Sequence, residues 1–64
     1  MTITVIDFYE GDPEVIGVAS SFSEANAIRT ARIEDTDGEC EIGCYCNGKD
    51  VTHLVTMYNP EVYY

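Results

Sequence analysis

The fold is decided by residues 20–38, SSFSEANAIRTARIEDTDG, which predict a single amphipathic helix. Ser21 followed three residues later by Glu24 is the pattern of a capping box, in which each side chain bonds a backbone N–H near the other residue. The helix could instead begin with Ser23 as its N-cap and Phe22 as a hydrophobic staple. Both alternatives place the start of the helix near residue 22.

The predicted helix carries a narrow stripe of apolar side chains at helical spacing. The stripe consists of Ala25, Ala27, Ile28 and Ala31. Because these side chains are mostly small, the helix can approach a sheet closely. Gly38 is typical of a residue that ends a helix, since glycine adopts the left-handed conformation without strain. We therefore predict a helix at about residues 22–35.

The segment before the helix predicts a hairpin. Residues 2–9 are rich in β-branched and aromatic side chains, as strands are. Their apolar residues occupy both parities, so either both faces of the strand are partly covered or a bulge lies near its middle. Gly11 and Pro13 indicate a turn, and residues 14–19 then predict a second, weaker strand.

The segment after the helix also predicts a hairpin, because residues 39–46 and 50–58 flank the turn dipeptide Asn47-Gly48. Alternation predicts a core face made of Cys40, Ile42, Cys44, Cys46, Val51, His53, Val55 and Met57. It predicts a water-facing side made of Glu39, Glu41, Gly43, Tyr45, Thr52, Leu54, Thr56 and Tyr58. Residues 59–64 follow as a tail.

Together these elements predict a single α+β domain over residues 1–64. Its order is β-β-α-β-β, with a small antiparallel sheet of three to four strands packed on one helix. A chain of this length buries only ~60% of the surface that its unfolded form exposes, so one sheet and one helix are about all it can build. Hydrophobic residues make up 45% of the chain, which suffices for such a core.

The charge is strongly negative, with twelve Asp and Glu against three Lys and Arg and a net charge of −9. Nucleic acid and anionic membranes are therefore poor direct partners, and a basic protein is a good one. Solubility alone is the competing explanation for the acidity. The first residues show no targeting pattern, and no apolar run approaches the ~20 residues that cross a bilayer, so we expect a cytoplasmic protein.

The predicted order of elements gathers carboxylates at one end of the sheet, provided that residues 14–19 form a strand. The residues brought there are Glu10, Asp12, Glu14, Glu34, Asp35, Asp37, Glu39 and Glu61. An acid at a helix C-terminus opposes the helix dipole by about 0.3–1 kcal/mol. Solubility would be better served by acids at the helix start, so this placement favours a role in recognition.

Metal and catalytic sites are poorly supported. An EF-hand register would place Ile33 and Cys44 at ligand positions, where neither residue fits. The thiols and His53 share the predicted core face, but residues two apart in a strand are ~6.6 Å apart, too far for two thiols on one ion. A Cys44–His53 pair on an inner face would have no access to substrate. We therefore predict a protein that is not an enzyme and has no metal or cofactor.

Recognition of a basic partner is better supported. Glu39 and Glu41 would be ~6.6 Å apart along a strand, comparable to the through-space spacing of phosphates that rise ~3.4 Å per step along one DNA strand. Tyr45 would add rigid contact area of the kind found at interface hot spots. Such a surface could occupy a groove built for a nucleic acid backbone.

In size, charge and lack of catalytic motifs, the chain resembles the small acidic proteins of bacteriophages and mobile elements that mimic DNA. Anti-CRISPR proteins, antirestriction proteins and the uracil-glycosylase inhibitor belong to this class. The resemblance implies a non-enzymatic, monomeric inhibitor of a nucleic-acid-binding surface in a bacterial defence complex, such as a type I CRISPR surveillance complex. The residues that would stand in for phosphates are Glu10, Asp12, Glu14, Glu34, Asp35, Asp37, Glu39 and Glu41.

An alternative function is a small protein–protein interaction module, either antitoxin-like or an assembly subunit. Such a module would bind its partner by pairing a strand with a free sheet edge. In that case backbone hydrogen bonds and exposed apolar residues such as Leu54 would matter more than the carboxylates.

Overall fold

The structure, a computed structural model, describes residues 1–57 as a four-stranded antiparallel sheet with two helices. The elements are β1 (Ile3–Asp7), a 3₁₀ turn (Tyr9–Gly11), β2 (Glu14–Ala19), α1 (Phe22–Thr36), β3 (Ile42–Cys46), β4 (Lys49–Asp50) and α2 (Thr52–Met57). The strand order is β2-β1-β3-β4, and each neighbouring pair is antiparallel. The α+β class and the main helix between β2 and β3 are confirmed.

Helix α1 begins with the first of the two predicted caps. The Ser21 hydroxyl accepts a hydrogen bond from the Glu24 N–H at 3.1 Å, and the Glu24 carboxylate accepts one from the Ser20 N–H at 2.6 Å. At the other end, Asp37 is the C-cap in the left-handed conformation, with φ 56°. Its N–H donates back to the carbonyl of Glu34.

Three turns within residues 1–57 share a two-residue backbone conformation. Glu10, Asp37 and Asn47 have positive φ, and each is followed by a glycine that also has positive φ. Two consecutive left-handed residues turn a chain sharply, and only glycine adopts that conformation without penalty. The Asn47-Gly48 turn confirms the predicted hairpin signal.

The contact between α1 and the sheet is narrower than the predicted stripe. Ala25 is buried and Ile28 is half-buried, whereas Ala27 and Ala31 are exposed. A Cβ atom at Gly17 of β2 would lie 2.9 Å from Cδ1 of Ile28. The helix therefore lies close to β2 because position 17 has no side chain.

The predicted irregularity in the first hairpin is a bulge. Val5 lies opposite Gly17 and Ile6 lies opposite Val15, so Ile16 is the extra residue. Cross-strand partners share a face, and Ile6 lies on the face opposite to buried Val5. The bulge therefore turns Val15 toward that same outer face.

Both helices pack on one face of the sheet and share its core. The buried apolar residues are Ile3, Val5, Ala19, Ala25, Cys44 and Val55. They come from three strands and both helices, so the single core joins the two halves of the chain.

The prediction of a strand over residues 50–58 is wrong. The strand ends after Asp50, and helix α2 follows. The Asp50 carboxylate accepts hydrogen bonds from the Thr52 N–H at 2.9 Å and from its hydroxyl at 2.6 Å. That hydroxyl in turn accepts from the Cys44 N–H at 2.9 Å, where a longer β4 would have supplied a carbonyl. The polar side chains thus end the ladder and start a helix.

The switch to helix changes which side chains are buried. Val51 and Val55, four residues apart, face the core, whereas His53 and Met57 are exposed instead of buried as predicted. β3 begins at Ile42 rather than at residue 39, and within it the inward Cys44 and outward Tyr45 keep the predicted parity. The predicted tail, residues 59–64, lies outside the described part of the chain.

None of the helices in residues 1–57 is long and apolar enough to cross a membrane.

Candidate functional site: an acidic pole built around Asp7

Asp7, the last residue of β1, is the point at which four elements meet. It shares the inner face of the strand with Ile3 and Val5 and is 3% exposed. One carboxylate oxygen accepts hydrogen bonds from the N–H groups of Tyr9 and Glu41, each at 3.0 Å. The other oxygen accepts from Nε of Arg32 at 2.9 Å. The carboxylate therefore joins β1, the 3₁₀ turn, the loop before β3 and helix α1.

These donors favour the charged form of Asp7. The N–H of Glu41 contributes most to holding the pKa of this carboxyl below its ordinary value, and the Tyr9 N–H and Arg32 act in the same direction. Burial opposes them without reversing the shift. The bond with Asp7 likewise raises the pKa of Arg32, so both members of the pair are charged.

The two acidic loops lie side by side at this end of the sheet. The Phe8 N–H donates to the Glu41 carbonyl at 2.8 Å, just beyond the point where Asp7 pairs with both Glu14 and Ile42. The loop after β1 and the loop before β3 are thus joined by backbone and side-chain bonds. Residues 14–19 do form a strand, which is the condition on which this juxtaposition depended.

Four predicted site residues line one open cavity of about 280 Å³: Glu10, Asp12, Glu14 and Glu39. Glu41, whose backbone is bonded to Phe8 and Asp7, lies in the adjoining loop. All five carboxylates belong to exposed residues. We call these five residues the acidic pole.

Glu34, Asp35 and Asp37 are exposed but do not line this cavity, and Glu61 lies outside the described residues. Asp35 borders a different cavity, between α1 and β2, together with Ile16 and Ile28. Glu34 lies in the last turn of α1, and Asp37 is its C-cap. These three carboxylates belong to the end of α1, and Arg32 lines both their neighbouring cavity and that of the acidic pole.

Tyr45 does not line the cavity of the acidic pole. It lies on the outer face of β3, opposite Thr4 and Asp50, in the half of the strand nearer the Asn47 turn. Its ring meets that of Phe8 edge to face, with centroids 6.1 Å apart. The two rings cover Gly43, where a Cβ atom would lie 2.9 Å from each.

The predicted spacing of Glu39 and Glu41 along a strand does not apply, because β3 starts only at Ile42. Glu41 is held instead by its bonds to Phe8 and Asp7, and Glu39 by the bond from its N–H to the Thr36 carbonyl at 3.1 Å.

Arg32 is the cation of this end of the molecule, and it is already paired. It contacts Asp7 at 2.9 Å and Glu14 at 3.1 Å, and these are the ion pairs found among residues 1–57. The remaining carboxylates of the acidic pole have no cationic partner in that part of the chain. They present uncompensated negative charge to solvent.

The thiols and the histidine form no comparable cluster. Cys44 is buried in the core, and burial raises the pKa of its thiol, which keeps it protonated and unreactive. His53 lies exposed on α2. In the described residues, no group of three or more His, Cys, Asp or Glu side chains is placed to hold a metal ion.

Asp7 and Arg32 were not among the predicted site residues, although the sequence carries a signal for each. Asp7 has the same parity as Ile3 and Val5 in a strand, so its carboxylate had to be buried and to need partners. Arg32 follows Ile28 by four residues and so lies on the sheet-facing side of the helix. Their pairing spans 25 residues and follows only from the packing of α1 on the sheet.

No known protein family, curated protein or solved structure matches the chain.

Proposed function

We propose that this protein is a non-enzymatic, anti-CRISPR-like inhibitor that mimics the negative charge of DNA. The acidic pole would occupy a basic nucleic-acid-binding surface of a bacterial defence complex, such as a type I CRISPR surveillance complex. The protein would act as a monomer in the host cytoplasm. The observation that carries the proposal is the set of bonds around Asp7, which holds two acidic loops side by side.

Fixed charges suit a decoy because ordering flexible loops on binding costs conformational entropy. The loops before β2 and β3 are tied by the Phe8–Glu41 backbone bond and by the three bonds to Asp7. The backbone that carries these carboxylates therefore needs little further ordering when a partner binds, and the remaining cost is that of the side chains. A basic groove that releases counterions on binding phosphates would release them equally on binding these side chains.

The acids at the end of α1 support the same function. Glu34 and Asp35 lie in the last turn, where the helix dipole disfavours negative charge by about 0.3–1 kcal/mol each. Neither forms an ion pair within residues 1–57 that would offset this cost. Their position is better explained by binding a cationic surface than by stability.

The direct test is competition with DNA. Purified type I surveillance complexes are incubated with labelled target DNA and increasing amounts of the protein, and DNA binding is followed by gel mobility shift. We expect the protein to displace DNA, and to do so less well as salt is raised from about 50 to about 500 mM. The proposal would be contradicted if the protein left DNA binding by these complexes unchanged, or if its inhibition did not depend on salt concentration.

A matched pair of variants separates a local surface from net charge. Glu10→Gln with Glu39→Gln removes two charges from the acidic pole. Ala27→Lys with Thr30→Lys changes the net charge equally, at exposed positions of α1. We expect the first variant to inhibit more weakly by on the order of tenfold, and the second to inhibit nearly as well as the wild type. Equal losses would mean that only total charge matters.

A further inference from the structure

We propose that the free edge of β2 binds an extended segment of a partner protein as a fifth, antiparallel strand. The segment would have apolar residues alternating along it and a Lys or Arg at its C-terminal end. The inference goes beyond the charge decoy, since it uses a different surface and does not depend on the acidic pole. It names the edge strand and the kind of partner for the sheet-edge pairing that the sequence suggested as an alternative function.

The two edges of the sheet differ in their capacity to pair. The strand order places β2 at one edge and β4 at the other. β4 has only two residues, whereas β2 has six. Residues 15–19 contain no proline and no charged side chain, two of the features that commonly protect an edge strand, although the bulge at Ile16 twists the edge. Within residues 1–57, no strand pairs with β2 on the side away from β1.

Apolar surface flanks this edge on both faces of the sheet. On the outer face, Val15 and Val18 are 60% and 59% exposed. On the helix side, a cavity of about 410 Å³ between β2 and α1 is lined by Ile16, Ile28 and other residues. Successive side chains of a strand point to opposite faces. An added strand would therefore pack one set of side chains on the valines and the other set in the cavity.

Every strand pair of the sheet is antiparallel, so we take the added strand to be antiparallel too, and charge then sets its chemistry. Asp35 lines the same cavity, and the 3.1 Å contact of Arg32 with Glu14 shows that the end of α1 lies beside the start of β2. Asp35 itself forms no ion pair in the described residues. A strand antiparallel to β2 ends where β2 begins, so its C-terminal cation would meet Asp35.

A second copy of this chain fits the edge less well than a basic segment does. Each copy carries a net charge of −9 and only three Lys and Arg residues, so two copies repel each other. The bulge at Ile16 also increases the twist of the edge, which hinders side-by-side pairing of two sheets. A flexible peptide can follow that twist.

Synthetic peptides test the proposal. The first alternates Val and Thr and ends in two Lys at its C-terminus, the second carries the two Lys at its N-terminus, and the third is the first peptide with N-methylated backbone amides. Affinity is measured by fluorescence anisotropy, and amide hydrogen exchange of the protein locates the bound segment. We expect the first peptide to bind best and to slow exchange at residues 15–19, and the N-methylated peptide not to bind.

Two protein variants serve as a matched pair, each removing one carboxylate. Asp35→Asn should weaken binding of the first peptide by about two- to fivefold at low salt, and Glu39→Gln should leave it unchanged. Absence of binding, equal binding of the N-methylated peptide, or protection outside β2 would overturn the proposal. Concentration-dependent dimers that protect residues 15–19 without peptide would also overturn it, because the occupant would then be a second copy.

The same variants distinguish this inference from the proposed function. If the Glu10→Gln, Glu39→Gln variant loses competition with DNA and still binds the peptide, that result would support the decoy function independently of the role of the β2 edge. Absence of peptide binding alongside intact DNA competition would remove only the edge proposal.

Discussion

At the scale of single residues, the structure depends on one buried carboxylate, whereas the other acids within residues 1–57 are exposed. Asp7 has three donors, from Tyr9, Glu41 and Arg32, so its burial leaves no lone charge. The same bonds fix the positions of the neighbouring exposed acids. A carboxylate that is almost fully buried therefore determines how the exposed acids of the acidic pole are arranged.

Replacing Asp7 with Asn should make the free energy of unfolding vary less as the pH is lowered. The pKa of Asp7 is lowered by folding, so its contribution is fully present above the ordinary Asp pKa of about 3.9 and is lost as pH falls through the lower folded value. Asp7→Asn should thus unfold at lower urea concentration near neutral pH, with the difference shrinking below about pH 4. Urea titrations followed by circular dichroism across this range measure it.

The control for this experiment is Asp12→Asn, an exposed acid of the acidic pole. It removes the same charge without touching the bonds to Arg32 and the two loops. If the wild type and Asp7→Asn differ in free energy of unfolding by the same amount at every pH, Asp7 acts by its packing and not by its charge.

Asp37→Asn should stabilise the protein. Asn tolerates the left-handed C-cap conformation as Asp does, and the substitution removes a negative charge from the end of α1, worth about 0.3–1 kcal/mol. The free energy of unfolding from urea titration should rise by that amount. Thr30→Asn, on an exposed position of the same helix, serves as a control and should bring no gain.

At the scale of elements, the second half of the chain shows how few side chains decide between strand and helix. Residues 50–58 have strand-like composition, but Asp50 and Thr52 end the ladder and cap a helix. The spacing of Val51 and Val55 was the available signal, and it was outweighed by the frequency of β-branched residues. Such residues form helices when their packing favours it.

Thr52→Val should destabilise the fold by about 1–3 kcal/mol, because it leaves the Cys44 N–H without its acceptor in the interior. Thr52→Ser keeps the hydroxyl and should retain most of the stability. Thr56→Val is the matched control, since the Thr56 hydroxyl bonds only an exposed carbonyl of its own helix. Equal effects at positions 52 and 56 would argue against the role of Thr52 in ending β4.

The other elements were predictable for identifiable reasons. The start of α1 follows from Ser21 and Glu24 and its end from the left-handed turn before Gly38, both of which act locally, and β2 follows from the turn before it. The meeting of the two acidic loops follows from topology alone. The bonds of Asp7 could not be predicted, because Arg32 and Glu41 are brought to it only by the helix packing and by the register of β3.

At the scale of the whole molecule, salt should act in opposite directions on folding and on binding. A net charge of −9 opposes compaction, so screening it stabilises the fold. Raising salt from about 50 to about 500 mM should increase the melting temperature while it weakens displacement of DNA. Thermal denaturation and gel shift in the same buffers test both halves, and a melting temperature that falls with salt would contradict the first.

The repeated left-handed turns allow a negatively charged side chain to be moved from one turn to another. Asn47 and Asp37 have nearly the same backbone conformation, each before a glycine, at opposite ends of β3 and its preceding loop. Exchanging the two residues would give an isomer of identical mass and isoelectric point whose electric dipole moment is smaller. A carboxylate can therefore be moved from position 37 to position 47 without changing the backbone conformation that either turn requires.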